Sequence, residues 1–410
     1  YGPLFALYLG PHLTVVVNNH QHAREVLLLR GKDFAGRPRM VTTDLLTRGG
    51  KDIAFSDYCP LWKSHRRLVQ NSFTLFGEGT SRLQDMGELS HLSILLDSLC
   101  EELLSMEGRG FDPAPAVTRA VTNVVCMLVF SATYRHGDSE LQEVLRYNDG
   151  IVQTIAGGGT SPLPATAFLD LTCKHCRMPF VWMDQGFSTS DPKFVRFVLT
   201  LTDNQPRDLL DALLMGQVGR GRRKGSGRVE EDIITEDHVL MTAAEAFGAG
   251  VETTSTTLLW ILAYLLHHPQ VQERVQKELD DHVGSERPVR VSDRARLTYL
   301  DCVINEGMRI RPVSPVLIPH TAMTDSSIGG HHISRGTRVL VNMWSIHHDS
   351  AHWDKPDLFN PDRFRDHQGQ RVTPSCFLPF GAGPRVCVGE SLARLELFLF
   401  LSSLLQRMSF

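Results

Sequence analysis

Apolar residues recur with a helical period along most of the chain, and the longest such segment is 237–268. Its apolar positions occur on all sides of the predicted helix, which indicates a helix buried in the interior. Pro269 begins a second predicted helix whose charged residues face outward. Ser292 is a candidate N-cap for a third helix, which ends before Pro312.

Strand patterns are short and few. The runs LTVVV at 13–17 and TRVLVN at 337–342 predict strands. Segment 217–232 is rich in Gly, Ser and Arg, which cannot build a core, and it predicts a solvated loop between two helices. A nucleic-acid-binding patch is the alternative for that segment. The pattern as a whole predicts a mainly α fold with small β-sheets.

Composition narrows the class of protein. The 410 residues carry a formal net charge of −4, which argues against a nucleic-acid partner. Eight irregularly spaced cysteines indicate reduced thiols rather than a disulfide framework. The pair Cys173 and Cys176 is a lone C-x-x-C and is interpreted as incidental. We expect no signal peptide or hydrophobic anchor at the start of the given sequence, and the apolar run 258–266 is too short to span a bilayer.

The segment FGAGPRVCVG, 380–389, surrounds one cysteine with glycines. A thiolate binds metal, and glycines let several backbone N–H groups approach its sulfur. Arg385 adds a permanent positive charge two residues before Cys387, suited to a carboxylate on a large flat ligand. A buried cysteine in a Gly-rich turn is the alternative when these residue types are taken alone.

The complete pattern F-x-x-G-x-R-x-C-x-G, with its fixed residues from Phe380 to Gly389, resembles the haem-binding signature of the cytochrome P-450 monooxygenases. The resemblance implies the fold of that family, with a long buried helix over the haem and a cysteine loop before a C-terminal helix. It implies that Cys387 is the axial ligand of the iron of haem b. The residues that surround the haem here would be Phe380, Gly381, Arg385 and Gly389.

Two further motifs resemble the same family. Glu306 and Arg309 lie three apart on a predicted helix and match its E-x-x-R motif, and Arg363 in NPDRF resembles the third member of that ion network. We predict a structural role for these three residues. The alternative is an ordinary surface salt bridge.

Several residues would bind the haem propionates by the same resemblance. Trp62 and Arg66 lie four apart, on one helical face, and resemble the family's W-x-x-x-R motif. Arg37 in FAGRP and His320 in LIPH would join them. The alternative for Trp62 is an ordinary core tryptophan.

AGVETT at 249–254 interrupts the most apolar helix with a carboxylate and two hydroxyls. It resembles the oxygen-activation motif of the family. Thr253 would hydrogen-bond the oxygen that is activated, and Glu252 would help to carry protons to it. Thr254 should point away from that site. A helix N-cap is the alternative, although the helical pattern continues on both sides.

The resemblance spans 1–410 in the family's order, as a single catalytic domain. We expect the membrane anchor and the C-terminal β-hairpin of the family to be absent from this sequence, and residues 160–200 match poorly. The implied location is the endoplasmic reticulum membrane, with the catalytic domain facing the cytosol.

Several stretches, among them GKDFAGRP, KDIAF and FGAGVETTSTT, look most like the steroid 17α-hydroxylase/17,20-lyase subfamily. The implied substrate is a steroid, with Asn148 bonding an oxygen at its far end. A helix-surface asparagine is the alternative for Asn148, and an arginine that completes this polar end in the subfamily has no clear counterpart. The predicted substrate contacts are Ala54, Phe55, Tyr147, Asn148, Gly248, Ala249, Val313 and Ile318.

The implied reaction inserts one atom of O2 into a steroid C–H bond, with carbon–carbon cleavage as a possible second activity. The electrons would come from NADPH through NADPH–cytochrome P-450 reductase, with cytochrome b5 as a further partner, because no G-x-G-x-x-G loop follows a strand in this chain. Two alternatives remain open: another monooxygenase, such as a steroid 21-hydroxylase or a xenobiotic hydroxylase, and a non-catalytic haem-binding fragment.

Overall fold

The computed structural model describes residues 1–74, 88–106, 108–135, 137–139, 141–142, 145, 208–221 and 234–410. Tyr147, Asn148, the pair Cys173 and Cys176, and the segment 160–200 lie outside the described residues. The α-helices are α1 (His20–Arg24), α2 (Val41–Leu46), α3 (Pro60–Thr74), α4 (Glu88–Leu104), α5 (Ala114–Phe130), α6 (Leu209–Gly221), α7 (Glu236–His267), α8 (Pro269–His282), α9 (Thr298–Ile310), α10 (Met343–His347) and α11 (Glu390–Arg407).

Two small sheets accompany the helices. The strands are β1 (Leu4–Leu9), β2 (His12–Val17), β3 (His320–Thr321), β4 (Ser326–Ile328), β5 (His331–Ile333) and β6 (Arg338–Val341). The larger sheet has the order β1-β2-β6-β3, in which only the β2–β6 pair is parallel. β4 and β5 form a separate antiparallel pair. The predicted strands at 13–17 and 337–342 are β2 and β6, so the mainly α fold with small sheets is confirmed.

The described chain divides into two compact units. The first unit holds Tyr1–Pro38, Phe73–Val124 and Ala249–Phe410, and the second holds Arg39–Ser72 and Val125–Gly248. The cysteine loop, the E-x-x-R motif and the oxygen-activation motif belong to the first unit. The W-x-x-x-R motif and the segment with Ala54 and Phe55 belong to the second.

The sheet of the first unit is built from alternating valines. Val15 and Val17 of β2 and Val339 and Val341 of β6 are buried, as expected for residues that share one face of a sheet with period two. They pack in one cluster with Phe34, and Leu27 belongs to the same cluster. This core therefore supports the segment 25–34, against which the cysteine loop packs.

Helix α9 is buried along its length. Gly307 permits this, because a Cβ there would lie 2.3 Å from Cγ1 of Ile261 in α7. The predicted N-cap at Ser292 is wrong, since Ser292 lies inside a separate 3-10 helix, Val291–Ala295. Asp293 closes that turn by accepting from the backbone N–H of Arg290 at 2.9 Å, and α9 begins only at Thr298.

Helix α7 has 32 residues. Among the described helices it is the one that is long and apolar enough to cross a bilayer, but the buried core helix of a soluble protein can have the same length and composition. The interior position predicted for it holds for most of its apolar residues in the first unit, although Trp260 is 44% exposed. The loop predicted at 217–232 needs correction, because α6 continues to Gly221. Residues 222–233 lie outside the described part.

Candidate active site

The loop before α11 presents Cys387 at the protein surface. The backbone N–H of Cys387 donates to the carbonyl of Phe380 at 3.0 Å, which closes the loop. Gly381 and Gly383 have φ of +71° and +72°, and a Cβ on Gly383 would lie 1.8 Å from the carbonyl oxygen of Leu27. Only glycine fits there, because the left-handed backbone and the contact with Leu27 both exclude a side chain.

The surroundings of Cys387 favour a thiolate. Its side chain is exposed and lies just before the N-terminus of the 18-residue helix α11, where the helix dipole stabilises negative charge. Cys302 and Cys376 differ from Cys387 in that they are buried. Burial raises their pKa values to about 12 and about 11, which favours the neutral thiol. Gly389 leaves one side of the sulfur uncovered, because a Cβ there would lie in van der Waals contact with Sγ, at 3.9 Å.

Three basic side chains converge beside this loop. Arg37 donates to the carbonyls of Ile318 and Pro319, both at 2.9 Å, and Arg385 donates to that of Ala35 at 2.8 Å. The Nδ1–H of His320 donates to the carbonyl of Phe34 at 2.8 Å. Burial, together with the charge of Arg37, lowers the pKa of His320 to about 3, so that its ring is neutral. The three predicted propionate ligands are thus adjacent to one another.

Trp62 and Arg66 share one face of α3 in the second unit. The guanidinium of Arg66 lies 5.4 Å from the centre of the Trp62 ring, and both residues are buried. The indole N–H donates to the carbonyl of Ile53 at 2.9 Å. This bond ties the helix to the segment that carries Ala54 and Phe55, and the predicted contact of Trp62 with a propionate stays a prediction.

The oxygen-activation motif keeps its helical geometry. The hydroxyl of Thr253 donates to the carbonyl of Ala249 at 2.6 Å, the bond expected of a threonine within a helix. Glu252 is half-buried and accepts from the hydroxyl of Thr256 at 3.3 Å. Thr254 is buried, and its hydroxyl lies beside the carboxyl of Glu396 in α11.

A cleft in the first unit brings the separate motifs together. Its lining includes Thr253 from α7, Val313 after α9, and Phe380 from the cysteine loop. Val313 and Ile318 are 36% and 37% exposed, so their apolar side chains are accessible to an apolar ligand. Ala249 belongs to the same unit, whereas Ala54, Phe55 and Gly248 belong to the second.

The E-x-x-R motif forms a buried ion network. Arg309 bonds both carboxylate oxygens of Glu306, at 2.6 and 2.8 Å, and both side chains are fully buried. Arg363 reaches Glu306 at 3.3 Å, and Arg309 also donates to the carbonyl of His347 at 2.7 Å. His347 in turn accepts at Nε2 from the backbone N–H of Leu378, just before the cysteine loop. The alternative of a surface salt bridge does not fit this burial.

Three polar residues were not identified from the sequence. They are Glu245, which binds the backbone at 53–54, Glu396, which is buried in α11, and His347. Both glutamates lie within otherwise apolar runs, AAEAF and LELFLF. A carboxylate inside an apolar helix is the signal that identified Glu252. The same signal would have identified these two glutamates.

The comparison with family models decides the family. The model described as cytochrome P450 matches residues 1–410. The chain belongs to the cytochrome P450 family. The predicted fold and the haem-thiolate monooxygenase class are thereby confirmed.

Several known cytochromes P450 are similar over almost the whole chain. The steroid 17-alpha-hydroxylase/17,20 lyase of Gallus gallus is 48% identical over 99% of this chain and 79% of its own length. The protein of the same name from Ictalurus punctatus is 46% identical, over 99% of this chain and 78% of its own.

Solved structures agree with these relatives. A zebra fish cytochrome P450 solved with progesterone is 59% identical, has a TM-score of 0.87, and is matched over 100% of this chain and 90% of its own. A zebra fish cytochrome P450 solved with abiraterone is 58% identical, with a TM-score of 0.82, and is matched over 99% of this chain and 88% of its own.

The residues of this cytochrome P450 fit its haem cofactor. An exposed cysteine at a helix N-terminus supplies the thiolate, and the neighbouring glycines let a flat ring approach. Arg37 and Arg385 supply positive charge for its carboxylates within the first unit.

Proposed function

We propose that this cytochrome P450 is a steroid 17α-hydroxylase that acts on progesterone or pregnenolone. One atom of O2 enters the C17–H bond, the other leaves as water, and NADPH supplies the two electrons. Cleavage of the C17–C20 bond is the second activity of the same proposal. The observation that carries it is the cleft lined by Thr253, Val313 and Phe380, in a chain whose relatives bear the 17-alpha-hydroxylase/17,20 lyase name.

Cys387 holds the iron in this proposal, and the bound haem supplies the redox chemistry of oxygen reduction. Phe380, Gly381 and Gly389 shape the surface on which the ring lies. The propionates are held by Arg385 and Arg37, with Trp62, Arg66 and His320 as further ligands.

To bind a haem propionate, His320 would have to carry a second proton. Its Nδ1–H is engaged by the Phe34 carbonyl, so the neutral ring can only accept at Nε2. A carboxylate at Nε2 would therefore favour uptake of a second proton, against the opposing charges of Arg37 and Arg385.

Proton delivery is assigned to α7. Thr253 lines the cleft and its hydroxyl donates to Ala249, so its oxygen can still accept a hydrogen bond, and rotation of the hydroxyl would turn it into a donor. Glu252 is the adjacent titratable group that can pass a proton onward. Glu306, Arg309 and Arg363 keep a structural role, since the two arginines donate to backbone carbonyls and to Glu306, which also accepts from the backbone N–H of Asn360.

The steroid would contact mainly apolar or small residues, as a rigid ring skeleton requires. Asn148, outside the described residues, would bond the oxygen at the far end of the steroid. The predicted contacts are Ala54, Phe55, Tyr147, Gly248, Ala249, Val313 and Ile318.

The partners and location follow from the proposed activity. The electron donor is NADPH–cytochrome P-450 reductase, and cytochrome b5 is a further partner. The enzyme works at the endoplasmic reticulum membrane, with its catalytic domain facing the cytosol.

The experiment begins with the carbon monoxide difference spectrum of the reduced protein and of Cys387→His. We expect the thiolate-type band in the first and its loss in the second, because imidazole lacks the electron donation of a thiolate. Cys59→Ser is the matched control: it changes another exposed cysteine and keeps an N-cap acceptor for Trp62 N–H.

Product analysis then tests the steroid assignment. With reductase and NADPH, progesterone should give the 17α-hydroxy product. Hydroxylation only at C21, or turnover of xenobiotics without steroid, would assign another monooxygenase activity. A thiolate band with no product from any substrate would favour the non-catalytic haem-binding alternative.

A further inference from the structure

Glu245 of α7 holds the backbone of a distant segment in the second unit. Its two carboxylate oxygens accept from consecutive N–H groups, that of Ile53 at 2.9 Å and that of Ala54 at 2.7 Å. Hydrogen bonds to an ionised acceptor are roughly twice as strong as neutral ones. One side chain thus fixes two adjacent peptide units of a segment that lies outside any helix or strand.

Two other side chains complete this arrangement. Asp52 accepts from the N–H of Phe55 at 2.6 Å, and the indole of Trp62 donates to the carbonyl of Ile53 at 2.9 Å. Consecutive backbone donors at 53, 54 and 55 therefore all bond to carboxylates. These side chains therefore contribute to the shape of a segment that belongs to no helix or strand.

The position of Glu245 along α7 gives this bond a further consequence. Gly248 is three residues later, so both lie on the same face of the helix. Ala54 and Phe55 on the segment, and Gly248 on the helix, are predicted steroid contacts. The carboxylate therefore links the two backbone elements of the second unit that would bound the substrate.

We propose that Glu245 is a specificity-determining positioning residue, which sets the distance between the 53–55 segment and the Gly248 face of α7. This proposal rests on the proposed steroid substrate. A rigid steroid skeleton is held in one orientation only if the residues around it are held rigidly. If part of the binding site can move, the steroid can bind in other orientations. The carbon presented for oxidation then depends on Glu245, although Glu245 itself does not touch the steroid.

The test compares Glu245→Gln with the wild-type holoenzyme. The amide keeps the size of the side chain but replaces one acceptor oxygen by an NH2 group, which would face a backbone donor. Glu236→Gln is the matched control, since it makes the same charge change at an exposed position in the first turn of α7.

We expect Glu245→Gln to keep the thiolate-type carbon monoxide spectrum. The spectral Kd for progesterone should rise about tenfold, the factor that corresponds to about 1.4 kcal/mol. KM should rise more than kcat falls, and hydroxylation should spread from C17 to neighbouring carbons. Glu236→Gln should match the wild type in all of these measurements.

An unchanged Kd together with an unchanged product ratio in Glu245→Gln would overturn the proposal. Loss of the haem signal along with steroid binding would overturn it as well, because Glu245 would then stabilise the fold and not the substrate wall. A double-mutant cycle with Phe55→Ala adds an independent measurement. If Glu245 acts through this segment, the two effects on Kd are not additive, and additive effects contradict the proposal.

Failure of the proposed function gives a different result. In that case the wild-type protein itself shows the thiolate band but neither binds nor oxidises progesterone, whatever residue occupies position 245.

Discussion

Thr253 and Thr254 are neighbours with different surroundings. Both residues line the cleft, but the hydroxyl of Thr253 bonds to Ala249, whereas that of the buried Thr254 lies beside the carboxyl of Glu396. Adjacent residues on a helix point about 100° apart, so the two hydroxyls cannot serve the same point in space. Chemistry in the cleft should therefore depend on one of them and not on both.

We predict that Thr253→Ala binds haem and steroid normally but uses NADPH mainly to make hydrogen peroxide. Alanine keeps the helix, while the hydroxyl that positions the proton is lost. Hydroxylation should fall by about 10²–10⁴-fold, the usual contribution of general acid–base catalysis. NADPH consumption, peroxide and hydroxysteroid are measured together. Thr254→Ala is the control, and uncoupling in that variant instead would assign the proton relay to Thr254.

At the scale of elements, the buried ion network joins four separate segments. Glu306 and Arg309 lie on α9, and their bonds reach Asn360, the carbonyls of His347 and Pro356, and Arg363. Each charge is compensated by a partner or by backbone groups. Removal of one member leaves an uncompensated buried charge, which costs far more than loss of a surface pair.

We predict that Glu306→Ala lowers the free energy of unfolding by about 3–5 kcal/mol and leaves little haem-loaded protein. Asp281→Ala is the matched control, because the Lys277–Asp281 pair is exposed and such pairs contribute about 0.2–1 kcal/mol. Urea unfolding and haem content are compared in both variants. Equal, small losses of stability would contradict the structural role of the network.

Helices and strands could be predicted from the sequence where the pattern lies within one segment. They could not be predicted where the element depends on contacts with another segment. The periodicity of α7 and α8 and the alternating valines of β2 are properties of each segment alone. β3 has only two residues and exists because His320 and Thr321 pair with β6. The prediction of an N-cap at Ser292 was wrong because Asp293 closes a separate turn there. Asp293 does so by accepting from the side chain of Arg287 and from the backbone N–H of Arg290.

At the scale of the whole molecule, motif spacing predicted the cysteine loop. Contacts between segments that are distant along the chain could not be predicted from the sequence. The bonds of Arg37 to 318–319 and of Arg385 to Ala35 depend on how strand β3 docks against residue 36. Glu245 likewise has no local sign of its partners at 53–54. The family resemblance supplied residue types at these positions, whereas the hydrogen bonds came from the fold.

The buried titratable groups make the stability of the molecule depend on pH in two directions. Burial lowers the pKa values of His320 and His347 to about 3, so the folded state binds fewer protons than the unfolded state between that value and the ordinary 6.5. Their contribution is complete above pH 6.5 and is lost as the pH falls towards 3. Acid should therefore destabilise the protein through these two histidines.

Glu396 acts in the opposite direction. Burial raises its pKa from 4.5 to about 8, and the nearby Thr254 hydroxyl offsets only part of this rise. The folded state thus holds a proton that the unfolded state releases between pH 4.5 and 8. The stability that Glu396 contributes is complete below pH 4.5 and is lost as the pH rises through 8, by on the order of a few kcal/mol.

We predict that Glu396→Gln removes this alkaline loss. The amide stays uncharged at every pH and has nearly the shape of the protonated acid, so its free energy of unfolding should fall less between about pH 5 and pH 9. Urea midpoints over that range measure the effect. Glu390→Gln, in the first turn of the same helix, makes the same substitution at a half-buried carboxylate paired with Arg394 and should keep the wild-type slope. If Glu396→Gln and the wild type lose stability in parallel above pH 7, Glu396 is already ionised in the folded protein and releases no proton on unfolding, which contradicts the prediction.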